Sequence, residues 1–186
     1  RLEKILISWY HGTSEVAVFH VAFLAYLAGL TLPQAIRAAL LPILGRRRSN
    51  KKEMLKEIKK ARKFIFWLTP IGIVGGAFIV KILMEVAFPD YVDESYSLFI
   101  ILLLGWTVTM ITAPNYVAVQ AGQKPWNFTI MLFIGVGIAT LSAFALIPGL
   151  GVVGAAWSSV IGATTLGVVA VIVSGEFAED TIKIED

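Results

Sequence analysis

The chain has 186 residues, of which 57% are hydrophobic and only 16% charged, with a net charge of +3 and no cysteine. Water-soluble domains run nearer about half apolar and about a quarter charged, so a mean hydropathy of +0.77 excludes the soluble enzyme folds. The missing cysteines exclude a disulfide framework, a thiolate zinc site and a cysteine nucleophile.

In chain order, residues 1–10 (RLEKILISWY) read as the last turns of a membrane span that begins upstream, so the chain reads as the C-terminal piece of a longer protein. Five hydrophobic segments follow, each long enough to cross a bilayer, where about 20 residues suffice. They cover 16–44, 64–88, 97–121, 126–147 and 152–174. Short connections (HGTSE, FPDYVDES, GQKP, PGLG) join most of them and require antiparallel neighbours. The predicted fold is an all-α integral membrane bundle of five complete transmembrane helices plus the end of a sixth.

The link over 45–63 is different. Ten of the sixteen basic residues fall between Arg46 and Lys63, a local patch instead of a generally basic, nucleic-acid-binding chain. Asn50 and Glu53 have capping-box spacing, and Met54, Ile58, Ala61 and Ile65 recur at helical spacing. The link therefore reads as a basic amphipathic helix on an anionic leaflet, with Arg46, Arg47, Arg48, Lys51 and Lys52 at the membrane surface. Lys and Arg favour the cytoplasmic side, which places this link, Lys124 and the acidic tail (175–186) inside. The connections assigned outside contain no Lys or Arg. The expected location is the cell membrane, multi-pass.

A charge in hydrocarbon costs about 2.5 kcal/mol or more. Arg37 is the clearest such charge. At about 100° per residue, His20, Thr31, Gln34 and Arg37 fall within roughly 120°, neglecting a bend at Pro33. Such an arc suits the wall of a water-filled cavity; the alternative is that Arg37 snorkels to the headgroups. Thr109, Thr112 and Asn115 share a face beside Pro114, where they either line a site or bond their own backbone and neighbouring helices. Lys81 and Glu85 are spaced to pair. Glu3 and Lys4 either face a cavity or pair with each other. In the last segment, Gly154, Ser158 and Gly162 make one row of small residues. Gly151, Ala155, Ser159, Ala163 and Gly167 make another.

His11 and His20 are too isolated for a metal site, and Asp90, Asp93 and Glu94 lack a histidine or glycine turn to organise one. A phosphate-binding glycine loop, HExxH and GxSxG are all missing, so neither catalysis nor a cofactor is expected.

The stretch LIPGLGVVGAAWSSVIG (146–162) resembles the proline-glycine turn and small-residue helix near the end of polysaccharide-export flippases. These belong to the multidrug/oligosaccharidyl-lipid/polysaccharide exporter superfamily. KILISWYHGTSEVAVFHVAF (4–23), AALLPILGR (38–46), FPDYVDESYSLFIILLLG (88–105) and VQAGQKPW (119–126) are similar to that family's successive junctions, in order. The resemblance implies the C-terminal lobe of a two-lobe transporter, a polysaccharide-biosynthesis C-terminal-type domain that partners its own N-terminal lobe. It further implies alternating-access transfer of an isoprenoid-diphosphate-linked glycan, with membrane lipids and glycan-polymerising or glycosyltransferase proteins as neighbours. On that reading Arg37 supplies counter-charge to the diphosphate, while Gln34 and His20 contact sugar or phosphate. Two alternatives stand beside it: a cation-coupled multidrug or toxin exporter, and a non-transporting scaffold of a glycan-assembly complex.

Overall fold

A computed structural model describes residues 2–122 and 124–182; for Lys51 and 176–182 it describes the backbone alone. The surface role expected of Lys51 and nearly all of the acidic tail therefore lie outside the described side chains. Everything regular among the described residues is helical: α1 (Leu2–His11), α2 (Thr13–Gly29), α3 (Thr31–Arg46), α4 (Lys51–Ala87), a 3-10 turn (Pro89–Tyr91), α5 (Val92–Ile111), α6 (Ala113–Ala121) and α7 (Pro125–Ile182). Four stretches are long and apolar enough to cross a membrane: Thr13–Arg46, Lys52–Ala87, Pro89–Ile111 and Pro125–Gly175.

Prolines and glycines set the breaks. Between α2 and α3 the chain turns at Leu30, three residues before Pro33, whose ring nitrogen has no proton for the Gly29 carbonyl. The indole Nε1 of Trp106 on α5 donates to that carbonyl instead, at 2.8 Å. α7 is interrupted at Gly151, where φ 56° and ψ −130° suit a residue without a Cβ. Beside that turn, His11 Nε2 lies 2.9 Å from the Ile147 carbonyl oxygen. The HGTSE and PGLG connections thus meet at one end of the molecule.

The two parts of α7, 125–150 and 152–182, fold back on each other. A Cβ built on Gly162 would lie 2.7 Å from the Ala139 Cβ, and one on Gly154 would lie 2.5 Å from the Leu146 carbonyl oxygen. The first row of small residues therefore packs the α7 hairpin. The second packs α7 on α5, since a Gly167 Cβ would come within 3.0 Å of Thr112 and Val108. α5 is the central helix, touching α2, α4 and α7. Its Ser95 hydroxyl donates to the Val18 carbonyl and its Trp106 to Gly29, so α2 and α5 run parallel. α4 runs antiparallel to α5, with Gly72 near Trp106 and Lys81 over the Tyr96 ring.

The basic segment is not a separate surface helix. From Lys51 it continues without interruption into the apolar stretch to Ala87. It begins as its spacing predicts, with the Asn50 side chain accepting from the Glu53 amide at 3.3 Å. Its apolar stripe docks onto protein: Met54 and Ile58 are buried with Leu44, Val117 and Ala118 of α3 and α6. Arg47 turns inward to Glu57 at 3.0 Å, while Arg46, Arg48 and Lys52 stay exposed. Farther along, Phe66, Trp67, Ile71, Val74 and Phe78 are all exposed, an apolar surface suited to lipid. The expected Lys81–Glu85 ion pair does not form; the Lys81 ammonium lies 5.9 Å from the Tyr96 ring centroid.

Candidate functional site

The site is an open cavity of about 330 Å³, apolar over most of its lining with a cluster of polar groups, between α1, α2, α3, α5, α6 and both parts of α7. Its cationic element is Arg37, whose guanidinium lies over the Tyr116 ring, 4.0 Å from the centroid. Tyr116 is held in turn by an edge-on contact with Phe128, 5.3 Å between ring centres. Stacking on an aromatic face stabilises a desolvated guanidinium by about 0.5–2 kcal/mol, less than the cost of burying a charge in a membrane. The Arg37 Nε is buried without a hydrogen-bond partner. Among the described residues no carboxylate lies within ion-pair distance of Arg37; the ion pairs found join Arg47 to Glu53 and Glu57. Arg37 therefore has donor capacity that the protein leaves unused.

The rest of the lining has a consistent chemistry. The hydroxyls of Thr109, Thr112 and Ser159 donate to the carbonyls of Gly105, Val108 and Ala155, each one helical turn back. Their protons are committed; Thr109 also hydrogen-bonds the Tyr26 side chain, while the oxygens of Thr112 and Ser159 keep lone pairs that can accept. Gln34 adds an amide and Glu3, from α1, a carboxylate. The far wall is smooth: Gly135, Ala139, Gly162, Ala163 and Gly167 give it little relief. Such a cavity offers an anion one strong donor and offers a polyhydroxylated group several acceptors.

Of the six residues predicted to line a cavity, Arg37, Gln34 and Thr112 do so. Thr31 does not: its hydroxyl donates to the Ala28 carbonyl, and it borders a separate apolar groove between α2 and α4. His20 is also elsewhere, with its Nδ1 against the Lys4 ammonium. Asn115 is buried in a polar tie, its Oδ1 accepting from Arg62 at 2.9 Å and its Nδ2 donating to the Ser174 hydroxyl at 2.7 Å. It joins α4, α6 and α7 and leaves no room for a ligand.

The reason is angular. The cavity face of α2 and α3 carries Phe23, Tyr26, Leu30, Pro33, Gln34 and Arg37, centred near Arg37. At about 100° per residue, His20 and Thr31 lie roughly 100° from that centre. The polar arc was real, but the cavity takes only one edge of it. Tyr116, Tyr26 and Ser159 were not singled out as cavity residues, and only three-dimensional packing selects them. Among the described residues no cluster of three or more His, Asp or Glu side chains is placed to hold a metal. No protein-family model, curated protein or solved structure matches the chain.

Proposed function

We propose that the chain is part of a membrane transporter that moves an isoprenoid-diphosphate-linked oligosaccharide from the inner to the outer face, and that it is not an enzyme. The observation that carries this reading is the unpaired Arg37 guanidinium, its Nε buried and unpartnered, in an open and mostly apolar cavity that carries a few polar groups. A diphosphate crossing hydrocarbon needs counter-charge, and sugar hydroxyls need acceptors; Arg37 provides the first and Thr112, Ser159, Gln34 and Glu3 the second. The resemblance to polysaccharide-export flippases points the same way.

On this reading the chain forms the C-terminal lobe and works against an N-terminal lobe by alternating access. Five segments cross, because α7 is 58 residues long and broken by Gly151 into two mutually packed parts. The basic start of α4 and the C-terminus face the cytoplasm of the cell membrane, in keeping with the crowding of Lys and Arg there. Glycan-assembly enzymes are the natural neighbours, as they would supply and consume the cargo.

The test is translocation of a lipid-linked oligosaccharide by the full-length protein in liposomes, compared with folded Arg37→Glu and Arg37→Lys variants. We expect transport by the parent, near-complete loss in Arg37→Glu and partial retention in Arg37→Lys. Equal transport by all three would remove Arg37 from the mechanism. One observation favours a second reading, a cation-coupled exporter: Glu3 brings a carboxylate into the same cavity. Export of organic cations, lost in Glu3→Gln and spared in Arg37→Lys, would select that alternative.

A further inference from the structure

A second site lies outside the Arg37 cavity, on the outer surface of the bundle where α3 meets α4. An open groove of about 390 Å³ runs between Ile36, Ala39, Leu40 and Ile43 on one side and Ala61, Phe64 and Ile65 on the other. Ala39 on one wall and Ala61 on the other have short side chains that leave room in it. Both helices belong to stretches apolar enough to span a membrane, and Ile43 and Phe64, one on each wall, are exposed.

One end of the groove is polar and cationic. Glu57 and Lys60 stand at its rim. The Glu57 carboxylate is neutralised by Arg47 at 3.0 Å. Lys60 is exposed and has no ion pair or hydrogen bond among the described residues. Counting about 100° per residue, Glu57, Ala61, Phe64 and Ile65 share the groove side of α4 with Lys60 at its edge, and Lys59 lies on the side away from the groove. An apolar channel that ends at the Lys60 ammonium is complementary to one kind of molecule, an acyl chain ending in a phosphate.

We propose that this groove binds an anionic glycerophospholipid from the leaflet that borders the basic end of α4. One acyl chain lies between Ala39 and Ala61, and the phosphate rests on Lys60. The site holds α3 and α4 together along the seam where the smallest side chains leave them apart. It stands independently of the transport reading.

The experiment is native mass spectrometry of the full-length protein in detergent, titrated with an equal mixture of phosphatidylglycerol and phosphatidylcholine of matched chains. Preferential retention of phosphatidylglycerol is expected. Lys60→Glu should lower that retention by about fivefold or more, the effect of at least one lysine at an anionic surface. Lys59→Glu, with the same charge change on the opposite face of the helix, should leave it near the parent value. Ala61→Phe and, from the facing wall, Ala39→Phe should each displace both lipids by filling the groove, with a melting scan to identify any variant that fails to fold. Equal retention of the two lipids by the parent would overturn the proposal. So would equal losses in Lys59→Glu and Lys60→Glu, or lipid binding unchanged in both folded phenylalanine variants.

Discussion

The indole nitrogen of Trp106 donates to the Gly29 carbonyl at 2.8 Å, and Gly29 is the residue whose helical donor is missing because position 33 is proline. A proline on one helix and a tryptophan on another thus form one unit. The unit pins the α2–α3 bend to α5, which places Arg37 against Tyr116. Gly72 on α4 completes the seat, since a Cβ there would fall 2.4 Å from the Trp106 ring.

Removing the donor should therefore cost stability only while the acceptor is orphaned. Trp106→Phe is expected to destabilise the protein by about 1 kcal/mol beyond its packing loss, the usual scale for a buried hydrogen bond between membrane helices. In a Pro33→Ala background the helix recovers its own donor, and that part of the penalty should shrink. A double-mutant cycle on unfolding in detergent reads the difference; strictly additive effects would dissociate the pair.

The glycines of the α7 hairpin should rank by what surrounds them. Gly154→Ala drives a methyl into the Leu146 carbonyl and Gly162→Ala meets Ala139, whereas Gly149 and Gly137 have nothing within 4 Å. We expect the first two to cost about 1–3 kcal/mol and the last two to be neutral or mildly stabilising. Melting temperatures across the four variants test the order.

At the turn itself, Gly151→Ala combines a positive φ of 56° with a Glu15 Oε2 only 2.8 Å from the new Cβ. It should lower the melting temperature more than Gly149→Ala, by about 1–3 kcal/mol in equivalent stability. His11→Ala, which leaves the Ile147 carbonyl without its side-chain partner, should produce a smaller loss of about 1 kcal/mol.

Asn115 and Tyr116 are neighbours with different work, and substitution should separate them. Asn115→Ala breaks the tie between Arg62 and Ser174 and is expected to reduce stability while the folded fraction keeps its substrate affinity. Tyr116→Leu removes the aromatic face beneath Arg37 and should weaken anion binding by roughly threefold to thirtyfold with little change in melting temperature. Binding of a lipid-linked diphosphate, measured beside a melting scan for each variant, gives two readouts. Affinity lost in Asn115→Ala and kept in Tyr116→Leu would reverse the assignment.

By itself the sequence determined that the chain is helical and apolar enough to span a membrane, where its basic residues cluster, and that Asn50 caps the start of a helix. Those features depend on hydropathy, on helical period and on side chains that cap their own backbone, all of which act over a few residues. It also placed the α2–α3 bend, since a missing amide proton is local. Tertiary structure decided which angular sector of each helix meets the cavity. Periodicity gives the angles between residues on one helix and leaves that helix free to rotate about its axis until its neighbours are in place. His20 and Thr31 accordingly fell outside the cavity while Phe23 and Tyr26, on the same helical run, came in. The rotation was set by the knobs and recesses of other helices: Trp106 against Gly72 and Gly29, Thr112 against Gly167, Ala139 against Gly162.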